Sequence, residues 1–161
     1  MLKTRDDLIA LRSACTKAAE TETQKILICA GTGCIAGGSL ELYARLQELM
    51  AQRSIACSVS LDNTPHQHVG LKKSGCHGFC EMGVLVRIEP QGWLYTKVKL
   101  EDCEEIIDKT ILKGEHIPRL AYTKGDIVFP KQDDIPFYSR QTRLVLEHCG
   151  HIDATSIREY L

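Results

Sequence analysis

The chain has 161 residues, of which 43% are hydrophobic and 25% are charged, and this composition is ordinary for a globular protein. Its net charge of −1, with no basic patch, argues against nucleic acid as a partner. No apolar run of about 18 residues is present, so we expect no direct membrane insertion. The start is acidic, so we expect no signal peptide. Both features predict a cytoplasmic location.

The first third of the chain predicts an alternation of helices and strands. Arg5 to Glu20 carries apolar residues at helical intervals and predicts an amphipathic helix. The apolar run at 26–28 predicts a buried strand that leads into residues 29–34, which are too rich in glycine for a helix or strand. Ser39 is a plausible N-cap for a second helix with an apolar stripe that reaches Met50.

The next part of the chain predicts a second strand, a hairpin and a closing helix. Residues 55–59 alternate like a strand, and 61–69 suggest an irregular connection. After a second glycine–cysteine loop at 74–80, the β-forming runs on either side of Pro90 predict a hairpin. The helix from Leu100 to Leu112 should stop at Gly114. This order predicts an α/β fold of the thioredoxin type, with a mixed four-stranded sheet and flanking helices.

The last part of the chain has a different character. Residues 116–136 hold three of the five prolines and suggest a linker, and 137–161 form a short regular segment. We therefore divide the chain into an N-terminal helix (1–24), a thioredoxin-like domain (25–114), and an extended arm (115–161) that opens a larger domain not contained here.

Two pairs of cysteines indicate metal chemistry. In a reducing compartment, eight cysteines suggest a metal or redox site rather than a disulfide framework. Cys29 and Cys34 are separated by four residues, and Cys76 and Cys80 by three, each pair in a loop beside a predicted strand. An iron–sulfur cluster needs four such thiolates that converge on one point.

Glycines between the cysteines suit the same purpose. They allow the backbone to approach a cluster closely, to adopt positive φ and to turn N–H groups towards sulfur. The predicted cofactor-binding glycines are Gly31, Gly33, Gly75 and Gly78.

Spacing favours a [2Fe–2S] cluster and leaves alternatives open. A structural four-cysteine zinc site usually has two-residue spacing within each pair, as does a thioredoxin-like thiol site. A Rieske-type centre would use two histidines, and three occur near the second pair: His66, His68 and His77. We interpret His77 as a solvent-facing loop residue, with a place beside a cluster sulfur as the alternative, and Phe79 as a packing residue. Lys72 and Lys73 either offset cluster charge or form a solvated pair.

The remaining cysteines are interpreted as inert: Cys15, Cys57, Cys103 and Cys149.

The motif Cys-x4-Cys after a strand, followed by Gly-Cys-x-Gly-x-Cys, resembles the thioredoxin-like [2Fe–2S] ferredoxins. This family includes the small iron–sulfur subunit of complex I-type NADH dehydrogenases and domains of NAD(P)-linked hydrogenases. The resemblance covers residues 25–114. It implies one-electron transfer through a [2Fe–2S] cluster, with four cysteine ligands: Cys29, Cys34, Cys76 and Cys80.

The arm is similar to the opening segment of the NADH-binding flavoprotein subunit of those enzymes. The residues that carry this similarity run from Phe137-Tyr138 through Arg143-Leu144-Val145-Leu146 and Cys149-Gly150 to Glu159-Tyr160. It implies a flavoprotein domain and other iron–sulfur subunits as partners, with FMN, NAD and [4Fe–4S] sites outside this chain. We predict no catalytic residue here and assign no hydride transfer to this chain.

Two further possibilities are kept. The chain can form a homo-oligomer, and the alternative function is a non-catalytic assembly module with a structural four-cysteine metal site.

Overall fold

The computed structural model describes residues 3–61 and 66–161, and their main sheet is mixed. The strands are β1 (Glu22–Cys29), β2 (Cys57–Ser58), β3 (His68–Ser74), β4 (Val86–Glu89) and β5 (Trp93–Tyr95). Their order in the sheet is β2-β3-β1-β4-β5. The central strand β1 pairs in parallel with β3 and antiparallel with β4.

Helices flank this sheet. The first three are α1 (Arg5–Glu20), α2 (Thr32–Ala36) and α3 (Ser39–Gln52). A continuous helical segment, α4, then combines a 3₁₀ turn (Leu100–Asp102), an α turn (Cys103–Glu105) and a π-helical turn (Ile106–Ile111). It ends before Gly114, where φ is +68°, as predicted.

Local sequence signals account for the two long helices. α1 begins with a capping box, in which the Thr4 hydroxyl accepts from the Asp7 amide at 3.1 Å and the Asp7 carboxylate accepts from the Thr4 amide at 2.9 Å. α3 buries Leu42, Leu46 and Met50 in the core that it shares with the sheet. Its N-cap is Gly38, with φ of +92°, so the prediction of Ser39 as the cap was wrong by one residue.

The sheet has five strands in the described residues, although four were predicted. The additional strand is β3, whose first two residues had been assigned to the irregular connection and whose last residue to the second loop, with 70–73 left unassigned. Its sequence holds Gly70 and two lysines, which lower β-propensity, and it does not alternate because six of its seven residues are buried. Pairing with β1 on one side and β2 on the other forms this strand.

Two other local predictions need correction. Residues 29–34 are not entirely loop, because α2 includes Thr32, Gly33 and Cys34. The Gly31 carbonyl accepts from the Ile35 amide at 2.9 Å, and packing outweighs the low helix propensity of glycine. The strand predicted at 55–59 has only two paired residues, Cys57 and Ser58.

The arm, residues 115–161, lies along β5 and over the cysteine loops. Its backbone accepts hydrogen bonds from β5 and from the residue that follows it. Leu94 N donates to Pro130 O at 2.9 Å, and Thr96 N donates to Leu120 O at 2.7 Å. It contains a small hairpin, β6 (Tyr122–Lys124) with β7 (Ile127–Phe129), and two short helices, α5 (Pro136–Ser139) and α6 (Ile157–Tyr160). The division of the chain at residues 24 and 114 stays a prediction.

No helix in residues 3–61 and 66–161 combines the length and the apolar character needed to cross a bilayer.

Candidate metal centre

The first cysteine pair lies at the end of the central strand. Cys29 is the last residue of β1, and Cys34 lies in α2; both are buried. The amide of Cys29 donates to the carbonyl of Leu85 at 3.0 Å, and the amide of Ala30 donates to the carbonyl of Ser74 at 3.0 Å. Backbone hydrogen bonds therefore fix the first loop at both neighbouring strands.

The second pair reaches the same edge of the sheet. β1 and β3 are parallel, and Cys29 is in register with Ser74, so the chain leaves both strands at one end. Cys76 follows Ser74 by two residues, and Cys80 begins a 3₁₀ turn (Cys80–Met82). Both residues are exposed as a whole, in contrast to those of the first pair, although the Cys76 sulfur is partly covered.

Glycines allow the two loops to touch. A β-carbon on Gly31 would lie 2.9 Å from the Sγ of Cys76, and one on Gly33 would lie 3.5 Å from the Sγ of Cys80. The structure thus places two of the predicted glycines where the loops meet. Sequence reasoning missed Gly83, where a β-carbon would lie 3.0 Å from the Sγ of Cys34.

The other two predicted glycines have different surroundings. Gly78 has a φ of +81°, and its amide donates to the Sγ of Cys76 at 3.3 Å. A β-carbon on Gly75 would meet the arm, 3.6 Å from the Cα of Cys149. Of the four, only Gly78 combines a positive φ with an N–H···S contact.

The thiols are electrostatically coupled. A hydrogen bond from the Cys34 thiol lowers the pKa of Cys29 to about 6, and the same bond raises the pKa of Cys34. Burial raises the pKa of Cys76, against the opposing effect of the hydrogen bond from the Gly78 amide. Because thiolates this close repel one another, cationic metal is needed for the whole set to deprotonate.

A zinc ion and a [2Fe–2S] cluster can both be held by four cysteines, and they place these ligands differently. A structural zinc ion binds four donors around a single point, and its sulfur ligands lie about 2.3 Å from the metal. Four cysteines from two touching loops suit a two-iron cluster, which spreads its ligands over two metal atoms.

The histidines do not form a Rieske-type pair. His68 is buried near Glu22, at the opposite end of β3 from the cysteines, with its Nε2 3.8 Å from a Glu22 carboxylate oxygen. His77 is fully buried, so its interpretation as solvent-facing was wrong. Its Nδ1 lies 3.1 Å from Gln132 Oε1, and its Nε2 lies 2.9 Å from Ser74 Oγ.

The hydrogen bonds of His77 define its state. The amide oxygen of Gln132 only accepts, so Nδ1 carries the proton and Nε2 accepts from the Ser74 hydroxyl. Burial lowers the pKa of His77 to about 4. The ring is therefore a neutral structural link between the second loop and the arm.

Aromatic packing anchors the arm on the second loop. Phe79, between Cys76 and Cys80, stacks on Phe137 with centroids 4.6 Å apart, and its ring meets that of Tyr138 edge-on at 5.7 Å. The prediction that Phe79 is a packing residue is confirmed.

Polar contacts from the arm complete this cover. Arg143 donates to the carbonyl of His77 at 2.8 Å, and a β-carbon on Gly150 would lie 2.9 Å from the ring of His77. Sequence reasoning missed the roles of Gln132, Tyr138 and Arg143, which lie more than 50 residues from the loop that they contact. The similarity of 137–161 to a known segment was the only signal for Tyr138 and Arg143, and no signal in the sequence indicated Gln132.

The other predicted side chains lie away from the centre or at its margin. Cys15 and Cys103 are buried in helices, and Cys57 is half-buried at β2. Cys149 is half-buried, with its Sγ 3.7 Å from where a Gly75 β-carbon would lie. Lys72 is not solvated: it is 1% exposed and forms ion pairs with Glu22 and Glu159.

Comparison with known proteins places these features in a family. No family model matches the chain. A protein named "Ferredoxin, 2Fe-2S" from Clostridium pasteurianum is 31% identical over 87 residues, 54% of this chain and 76% of that protein. One of the same name from Aquifex aeolicus is 30% identical over 92 residues, 57% of this chain and 75% of that protein.

A solved structure agrees. The thioredoxin-like [2Fe–2S] ferredoxin from Aquifex aeolicus superposes with a TM-score of 0.50 at 26% identity, covering 66% of this chain and 96% of that one. The chain has the thioredoxin-like α/β fold predicted from its sequence. It belongs to the [2Fe–2S] ferredoxin family.

Proposed function

We propose that this chain holds one [2Fe–2S] cluster on Cys29, Cys34, Cys76 and Cys80 and transfers single electrons. The observation that carries the proposal is the convergence of two glycine–cysteine loops at one edge of the sheet, in a chain of the [2Fe–2S] ferredoxin family. When bound, the cluster would supply one-electron redox chemistry at a potential set by its ligands and surroundings.

The two cysteine pairs would have different tasks. The buried pair, Cys29 and Cys34, is fixed by β1 and α2 and gives the centre a rigid base. The exposed pair, Cys76 and Cys80, faces solvent and offers the side from which a redox partner can approach. Gly78 stabilises negative charge on Cys76 by donating its amide to the sulfur.

We further propose that the chain works within an NAD(P)H-linked oxidoreductase of the NADH dehydrogenase or hydrogenase type, in the cytoplasm. Its partners would be a flavoprotein domain and other iron–sulfur subunits. Support comes from the sequence similarity of 137–161 to the opening of such a flavoprotein. It also comes from the exposure of Leu144, Val145 and Leu146, 81%, 96% and 58%, because three consecutive exposed apolar residues suit a protein contact.

Anaerobic metal analysis combined with EPR tests the cluster. We expect two irons and two sulfides per chain, and visible absorbance that is lost on reduction with dithionite. Cys29→Ser should disrupt this centre, whereas Cys57→Ser, at a half-buried site outside it, should leave the iron content unchanged. A chain that binds one zinc ion and has no visible absorbance to lose would favour the structural-metal alternative.

Electron transfer from a flavoprotein tests the partner assignment. The cluster-loaded chain should be reduced by NADH or NADPH when a flavoprotein subunit of such an oxidoreductase is added, and should stay oxidised with the nucleotide alone. Leu144→Ser and Val145→Ser should slow that reduction without changing the iron content. Equal rates for the variants and the unmodified chain would contradict the assigned contact.

A further inference from the structure

The arm brings one cation directly onto the second cysteine loop. The Nη2 atom of Arg143 lies 2.8 Å from the carbonyl oxygen of His77, the residue that follows Cys76. It also lies 3.1 Å from where a β-carbon on Gly78 would be. Because any other side chain at 78 would crowd the guanidinium, glycine allows this approach as well as the positive φ of the loop.

The guanidinium of Arg143 is held in place from its other side. Its central carbon lies 5.1 Å from the centroid of the Tyr138 ring, in a cation–π contact. Tyr138 is itself buried, in the cluster that includes Cys29, Cys34 and Phe79. The cation is thus fixed between a buried aromatic ring and the backbone of the ligand loop.

No carboxylate in the described residues neutralises this charge at contact distance. Asp133 and Glu147 line the same cleft as Arg143, and this cleft has a volume of about 190 Å³. None of the ion pairs of the described residues includes Arg143. Its positive charge therefore acts on the neighbouring cysteine centre with little compensation at close range.

We propose that Arg143 is a positioning residue for the metal centre. Arg143 fixes the loop between Cys76 and Cys80, and its charge favours the reduced state of the group held there. This inference rests on the proposed function. The clamp follows from the hydrogen bond to His77 and the contact with Tyr138. The redox effect follows because reduction adds a negative charge near a fixed cation, and electrostatics around a cluster set its potential.

Three substitutions separate the charge from the clamp. Arg143→Gln removes the charge and the planar contact. Arg143→Lys keeps the charge and loses the guanidinium plane that packs on Tyr138. Arg140→Gln is the matched control, because Arg140 is an exposed arginine of the same segment and its loss changes the net charge by the same amount.

An EPR redox titration of the loaded protein tests the charge, after iron analysis of each variant. At a fixed solution potential, Arg143→Gln should lower the ratio of reduced to oxidised protein about threefold to tenfold, where tenfold corresponds to 59 mV for a one-electron couple. Arg143→Lys should stay closer to the unmodified protein, and Arg140→Gln should match it. A normally loaded Arg143→Gln with an unchanged ratio would overturn the redox role.

Amide hydrogen exchange of the metal-free chain tests the clamp without the cluster. The amides of residues 77–79 should exchange faster in both Arg143 variants than in Arg140→Gln and the unmodified protein. Equal exchange in all four proteins would overturn the clamp. If the unmodified protein binds no iron after reconstitution, the proposed function fails, and the exchange comparison still decides whether Arg143 orders the loop.

Discussion

Gly31 and Cys76 belong to different loops and are in contact at the limit of close packing. A β-carbon on Gly31 would lie 2.9 Å from the Sγ of Cys76, closer than real β-carbons approach, and 3.0 Å from its Cβ, so Cys76 would have to shift. The neighbouring approach of Gly33 to Cys80 is looser, because a β-carbon there would lie 3.5 Å from the Sγ. The ligand geometry of the second loop thus depends on the absence of a side chain at position 31.

Substitution of Gly31 by alanine should impair metal loading. Gly31 has a φ of −69°, which alanine adopts readily, so the effect of Gly31→Ala should be steric rather than conformational. The new methyl group would displace the Cys76 thiol, and we expect at least a twofold loss of iron per chain after anaerobic reconstitution, measured with its sulfide content.

Gly33→Ala provides the matched control. Its β-carbon would make ordinary contacts with Cys80, and alanine favours the helix α2 in which residue 33 lies. Iron content should therefore stay close to that of the unmodified protein. Equal loss of iron in the two variants would show that the short Gly31–Cys76 approach has no special importance.

Removal of the Phe79 ring should detach the arm from the second loop. Phe79 is 9% exposed and contacts the rings of Tyr122, Phe137 and Tyr138. We expect Phe79→Ala to lower the free energy of unfolding by about 3 kcal/mol, because the ring is lost and a cavity remains. Urea denaturation followed by circular dichroism measures the change.

Phe137→Ala is the comparison for this ring. Phe137 stacks on Phe79 but is 38% exposed, so its loss should cost less than that of Phe79. Limited proteolysis should also cleave the arm faster in Phe79→Ala. An arm that resists protease as well in that variant as in the unmodified protein would contradict its anchoring by Phe79.

Local patterns predicted the parts of the fold and site that depend on neighbouring residues. The periodicity of α1, the β-forming runs of the β4–β5 hairpin and the glycines beside the cysteines are all readable within a few positions. They placed the hairpin and both cysteine loops, and the comparisons confirm the family. The assignment of the four cysteines as ligands stays a prediction.

The features that sequence reasoning missed depend on distant partners. Strand β3 exists because both of its neighbours pair with it, although its own residues disfavour a strand. His77 can be buried because Gln132, 55 residues away, accepts a hydrogen bond from its ring, and Arg143 donates to its carbonyl from 66 residues away. Charged and polar residues of this kind look solvated in a sequence, because nothing nearby indicates the partner that buries them.

His116 should make stability depend on pH. Its ring meets those of Trp93 and Tyr95 at 5.3 and 5.6 Å, and burial lowers its pKa below the ordinary value of about 6.5. The unfolded chain then binds the proton more tightly, so stability that is present above pH 6.5 is lost as the pH falls through the lower folded-state pKa. His116→Phe keeps a ring and removes the titration, so its melting temperature should fall less between pH 7.5 and pH 5.5.

His148→Gln is the control for this pH dependence. His148 is exposed, so this variant removes one histidine without disturbing the packing around Trp93 and Tyr95, and it shows how much of the change is not specific to His116. If His116→Phe and the unmodified protein lose stability in parallel as the pH falls, the buried imidazole does not contribute to acid sensitivity.

Replacement of Lys72 should be more costly than replacement of its neighbour Lys73. The Lys72 ammonium forms ion pairs with Glu22 of β1 and Glu159 of α6, and all three side chains are buried, whereas Lys73 is exposed. Lys72→Met would leave buried carboxylates without their shared cation, and we expect a loss of about 3–5 kcal/mol in the free energy of unfolding, measured by urea denaturation.

Lys73→Met should cost less than about 1 kcal/mol, the value of an exposed cation–π contact such as the one that Lys73 makes with Tyr43. Addition of Glu159→Gln to Lys72→Met should recover part of the loss by removing one unpaired charge, and a double variant no more stable than Lys72→Met would contradict this explanation.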